Sequence, residues 1–89
     1  MDDLPVPRPE IASRLRNIEG QLRGIQQMLA NERDCMDILI QLAAVRSGVE
    51  SAAVMVLKNY TEICMAKEGR DSAADIAKAV AMWVGGSAK

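Results

Sequence analysis

Asp34-Cys35-Met36-Asp37-Ile38-Leu39-Ile40-Gln41-Leu42-Ala43-Ala44-Val45-Arg46-Ser47-Gly48-Val49-Glu50-Ser51-Ala52-Ala53-Val54-Met55-Val56 runs through the middle of this 89-residue chain and settles its class. Ile38, Leu42, Val45, Val49, Ala52 and Val56 recur at steps of 4, 3, 4, 3, 4, the spacing of one apolar helix face. No proline falls in residues 34–68, and Gly48 is the only glycine there. Asp34 followed by Asp37 is read as a capping pattern with Asp34 as N-cap. The spacing therefore predicts one helix of about 33 residues, roughly 50 Å long. Such a helix is too long for the core of a 9.7 kDa monomer. It needs a partner helix from another chain.

Upstream, Ile11, Leu15, Ile18, Leu22, Ile25 and Leu29 repeat the same steps and predict a helix over about residues 9–31. Gly20 and Gly24 lie inside it, and the pair is read as a close approach of another helix. All three prolines fall within residues 1–9 and mark residues 1–8 as an extended, flexible arm, with Pro9 in the first helical turn. Asn31-Glu32-Arg33 breaks the pattern. Downstream, Gly69-Arg70-Asp71 is expected to end the long helix. Ser72 with Asp75 is read as the cap of a short third helix carrying Ile76, Val80 and Trp83. Gly85-Gly86 is expected to stop it, leaving residues 87–89 as a tail. No strand pattern appears. The expectation is an all-α chain of three helices with a single domain over 9–86.

Composition narrows the chemistry. Apolar residues are 49% and charged residues 26%, a balance that suits a globular domain rather than a disordered chain. There is no histidine, which excludes Ser/His and Cys/His catalysis and histidine-ligated zinc or nickel. A chain of this size buries only about 60–65% of its unfolded surface, so oligomerisation is the expected remedy. Net charge is −1, from 11 basic and 12 acidic residues, which argues against indiscriminate nucleic-acid binding but permits a local basic patch. No uninterrupted apolar run reaches the roughly 18 residues of a membrane span, and the first residues lack a signal-peptide pattern. These features imply a cytoplasmic protein, with no membrane partner, whose thiols are reduced.

Cys35 and Cys64 lie 29 residues apart, roughly 43 Å along an unbroken helix, so they cannot meet within one subunit. An antiparallel partner places Cys35 of one chain opposite Cys64 of the other, about a two-fold axis near Val49 and Glu50. Cys35 falls in the first helical turn, where unpaired backbone N–H groups favour an anionic sulfur, while Asp34 and Asp37 oppose it. On the residues alone, both cysteines also read as small buried hydrophobes.

Two stretches resemble one family. Arg14-Leu15-Arg16-Asn17-Ile18-Glu19-Gly20-Gln21-Leu22-Arg23-Gly24-Ile25 is similar to the first-helix signature of the CsoR/RcnR repressors, and Asp34 to Ser47 is similar to the start of their second helix. The likeness covers about residues 10–84. It implies an antiparallel long-helix dimer with a four-helix-bundle core, paired into a dimer of dimers. It also implies a transcriptional repressor, not an enzyme, that releases operator DNA when an inducer reacts at the cysteines. Copper sensors of the family place a histidine four residues before the second cysteine. That position is Tyr60 here, with Asn59 before it. Nickel and cobalt sensors use several histidines, and formaldehyde sensors use an N-terminal proline where this chain has Asp2. The bare Cys35/Cys64 pair most resembles the persulfide-sensing, CstR-like branch.

The resemblance further assigns DNA contact to Arg14, Arg16 and Arg46. Each of them also reads as a solvated charge or as an intrahelical partner of Glu19 or Glu50. The main expectation is a repressor sensing reactive sulfur through a Cys35–Cys64 dithiol shared between subunits, with no cofactor. The alternative inducer is Cu(I) held by the same two thiolates. A small all-α enzyme, such as a chorismate mutase, is the minor alternative. Tyr60 either lies against the cysteine site or packs as an ordinary core residue.

Overall fold

The computed structural model describes residues 4–67 and 72–87, which form α1 (Arg8–Ala30), α2 (Cys35–Ala66) and α3 (Ser72–Ser87). The expected turn at Gly69-Arg70-Asp71 lies outside the described residues. Among those described there is no strand. Pro7 enters α1 in an extended conformation (φ −60°, ψ 137°), and its carbonyl accepts from Glu10 N–H at 3.0 Å. Pro9 fits in the first turn because no helix-internal partner exists there for a backbone N–H.

At its other end α1 closes in a Schellman turn. Glu32 N–H donates to the Leu29 carbonyl at 3.2 Å and Arg33 N–H to the Met28 carbonyl at 2.9 Å. The geometry puts Glu32 at φ 55°, in the left-handed region that a side chain disfavours. Asp34 stands at the N-cap of α2, but its carboxylate makes no capping bond. Asp37 instead faces Arg33, with Nη2 and Oδ2 3.5 Å apart on an exposed surface.

Helices α1 and α2 pack antiparallel. Val6 meets Asn59, Arg14 meets Ser51, and Ile18 lies against Gly48. A β-carbon on Gly48 would stand 3.3 Å from Ile18 Cγ1, so this glycine sets the helix separation. Gly24 faces open space, and the nearest atom to a β-carbon on Gly20 would be its own helix's Arg23 guanidinium. Within one chain the close helix approach is made at Gly48, not at Gly20 or Gly24.

Helix α3 folds back along the C-terminal half of α2. Its first residue, Ser72, bonds back to α2. Ser72 Oγ donates to the Cys64 carbonyl at 2.9 Å, which also accepts from Lys67 N–H at 3.3 Å. Gly85 and Gly86 do not stop α3, which continues to Ser87. Glycine costs a helix about 1 kcal/mol relative to alanine but breaks no hydrogen bond, so it weakens a helix end without terminating it.

The three helices lie in one layer. The extents are 56 × 30 × 13 Å, and the smallest is little more than one helix diameter. The radius of gyration is 16.8 Å, against about 12 Å for a compact domain of this length. Only half of each apolar stripe is covered. Ile11, Ile18 and Ile25 are buried, while Leu15, Leu22 and Leu29 are exposed. On α2, Ala52 is buried and Leu42, Val49 and Val56 are exposed. The exposed rows flank the α1–α2 seam on one side, where a groove of about 440 Å³ runs between Leu15, Val56 and Ile63. Helix α2 is broadly apolar, although Arg46 and Glu50 interrupt its run. A window of 18 residues within it is apolar enough to span a bilayer by length and composition. A helix that faces apolar neighbours on several sides has the same composition.

Candidate functional site

The two thiols occupy the ends of α2 and differ in access. Cys35 begins the helix and is exposed, whereas Cys64, near its end, is 1% exposed. Twenty-nine residues make about eight helical turns, so the two side chains leave α2 on the same face to within about 20°. Tyr60, one turn before Cys64, shares that face and is half-buried. It lines a groove of about 600 Å³ between α2 and α3, together with Leu57, Lys78, Met82 and Trp83. Cys64 lies beyond the end of that groove, where Ser72 ties the start of α3 to α2.

Asn59 has a different task from the one its neighbourhood suggested. It is 6% exposed, and its amide pairs with the arm. Nδ2 donates to the Val6 carbonyl at 2.8 Å, and Oδ1 accepts from Val6 N–H at 3.0 Å. This pairing was not legible in the sequence, because it joins residues 53 apart.

The described residues of one chain form no metal-ligating cluster. Among the described residues no three His, Cys, Asp or Glu side chains cluster. The thiols stand roughly 43 Å apart along α2, and the Asn59 amide is turned to Val6. Any site that uses both sulfurs requires a second chain.

The three arginines are exposed but not gathered. Arg14 donates from Nη1 to Ser51 Oγ at 3.4 Å, on the side of the seam away from the apolar groove. Arg16 leaves α1 about 160° round from buried Ile18, along the outer edge of the layer. Arg46 lies about 140° round α2 from Ser51. Among the described residues, neither Arg16 nor Arg46 has an ion-pair partner, so the intrahelical pairing with Glu50 weighed from the sequence is not made.

Comparison with known proteins agrees with this architecture. Residues 8–83 match the profile of a family described as metal-sensitive transcriptional repressor. The chain is 42% identical over 59 residues to the copper-sensing transcriptional repressor CsoR of Bacillus subtilis, covering 66% of this chain and 58% of that protein. It is 39% identical over 56 residues to the copper-sensing transcriptional repressor RicR of Mycobacterium tuberculosis, covering 63% and 58%. The matched stretch thus spans little more than half the length of either relative. Among solved structures, the nickel-responsive transcriptional regulator InrS superposes with a TM-score of 0.76 at 31% identity, covering 84% of this chain and 90% of that one. The family is one of repressors, which sets aside the small all-α enzyme. With the profile spanning nearly the whole helical layer, the chain belongs to the metal-sensitive transcriptional repressor family.

Proposed function

We propose that this chain is a cytoplasmic, operator-binding repressor whose inducer is a reactive sulfur species, sensed by Cys35 of one subunit and Cys64 of its partner. The observation that carries this reading is the pair of thiols on one face of α2, at opposite ends, with no cluster of three His, Cys, Asp or Glu side chains among the described residues. An antiparallel dimer about Val49 joins them twice, and two dimers pair into a tetramer. The uncovered apolar rows supply the interface. The chain exposes 6769 Å², against about 5,100 Å² for a compact monomer of its mass. The excess is about twice what one standard interface buries on each partner, enough for a chain that meets more than one neighbour.

The thiols divide the work by access. The exposed Cys35 thiolate attacks the outer sulfur of a persulfide R–S–SH, displacing R–S⁻ and leaving Cys35–S–SH. The Cys64 thiolate of the partner subunit then attacks the inner sulfur, expels HS⁻ and closes a disulfide. Both thiols are oxidised, and the transferred sulfur leaves as sulfide. Two transferred sulfurs leave a trisulfide by the same steps. Such a bridge draws helix ends together and shifts the arginine-bearing surfaces out of register with DNA.

A second reading keeps the repressor and replaces the inducer with Cu(I), bound by the same two thiolates. The names of the CsoR and RicR relatives favour it. One experiment separates the two. The reduced protein is treated with polysulfide or with Cu(I) under anaerobic conditions, denatured without reductant, and weighed by mass spectrometry, with DNA release followed in parallel. Polysulfide is expected to yield a covalent dimer and to release DNA. Cys35→Ser abolishes both effects, and Cys64→Ser permits persulfidation without a bridge. Release by Cu(I) at a far lower dose than polysulfide, with no covalent dimer, overturns the sulfur reading in favour of copper.

A further inference from the structure

We propose that Asn59 is a positioning residue for DNA binding, acting as a clasp that holds the Pro5-Val6-Pro7 arm and so fixes the first turn of α1 to the sensor end of α2. The inference rests on the repressor reading above and adds a residue to it. Val6 lies between two prolines, so its N–H is the only backbone donor in that tripeptide. Pro7 restricts Val6 to extended backbone, which holds its N–H and carbonyl ready for a side-chain amide at little further entropic cost. Asn59 takes both groups, at 3.0 and 2.8 Å, and is itself 6% exposed.

The near-isosteric replacements do not meet this requirement. Aspartate accepts without donating, and leucine does neither, leaving both Val6 groups without a partner. The arm runs directly into Arg8 and the first turn of α1, and Arg14 of that helix reaches Ser51, about two turns before Asn59 on α2. The same stretch of α2 carries Asn59, Tyr60 and Cys64. A displacement of this stretch when Cys64 reacts is therefore transmitted to the start of α1 through Asn59.

The clasp is tested on the full chain by hydrogen exchange at Val6 and by DNA affinity, using a duplex selected from a random pool by the wild-type protein. Val6 N–H is expected to be protected in the wild type and to exchange at least tenfold faster in Asn59→Ala. DNA affinity is expected to fall severalfold in Asn59→Ala and equally in Val6→Pro. Val6→Pro removes the donor from an arm outside the helical layer, so it leaves folding intact. The double variant is expected to bind no more weakly than either single one, as a shared interaction requires. An unprotected Val6 in the wild type, additive losses, or wild-type affinity in both variants overturns the clasp. If the wild type selects no duplex, the repressor reading fails, and protection at Val6 still decides whether the clasp exists.

Discussion

At the scale of single residues, most positions with a special task are held by backbone geometry rather than by their side chains. Glu32 sits at φ 55° because the Schellman turn needs a left-handed residue there, and glutamate reaches that region only with strain of roughly 1 kcal/mol. Glu32→Gly is expected to raise unfolding stability by about 0.5–1 kcal/mol, measured by urea denaturation, with DNA affinity unchanged. A loss of stability refutes the assignment of strain to this turn. Asn59 shows the opposite case. Its amide does what no backbone group can, because the arm between Pro5 and Pro7 has one N–H to offer. That Cys35 and Cys64 form the only thiol pair was legible from the residues. Their division into an exposed and a buried thiol was not, since it depends on where α3 begins relative to the end of α2.

At the scale of elements, the α1–α2 seam depends on one small residue. Ile18 occupies the space that a side chain at position 48 would fill. Gly48→Leu is expected to wedge the helices apart and destabilise the protein by about 1–3 kcal/mol, whereas Gly24→Ala, facing open space, is expected to stabilise by up to about 1 kcal/mol. Thermal denaturation followed by circular dichroism distinguishes them, and equal destabilisation by both counts against this account of the seam. The heptad-like spacing placed both stripes correctly but did not divide them. Within one chain Ile11, Ile18 and Ile25 pack while Leu15, Leu22 and Leu29 do not, because one neighbouring helix covers only part of a wide apolar face.

At the scale of the whole molecule, a layer 13 Å thick has no closed core. Sedimentation at micromolar concentration is expected to find a dimer or tetramer and no folded monomer. A stable monomer removes the basis for a shared thiol site. The arginine surfaces make a separate prediction. Arg16→Ala and Arg46→Ala are expected to weaken DNA binding without changing the oligomer, and each to reduce the salt dependence of affinity by about one released counterion. Arg14→Ala adds the loss of the Ser51 contact. Unchanged affinity in all three variants places the DNA surface elsewhere. One chain holds the three arginines on different sides of its layer, so only repetition by symmetry brings several to one duplex.

The amino-acid sequence by itself determined the all-α class, the three helices, and the separation of the two cysteines by more than a subunit can close. These follow from local periodicity, from the distribution of proline and glycine, and from the rise per residue of a helix. Only the tertiary structure decided which half of each stripe is covered, which glycine admits a helix, what Asn59 holds and where Ser72 binds. Each of these joins residues distant in the chain, and such pairings depend on how helices cross and register, which neither propensity nor spacing encodes.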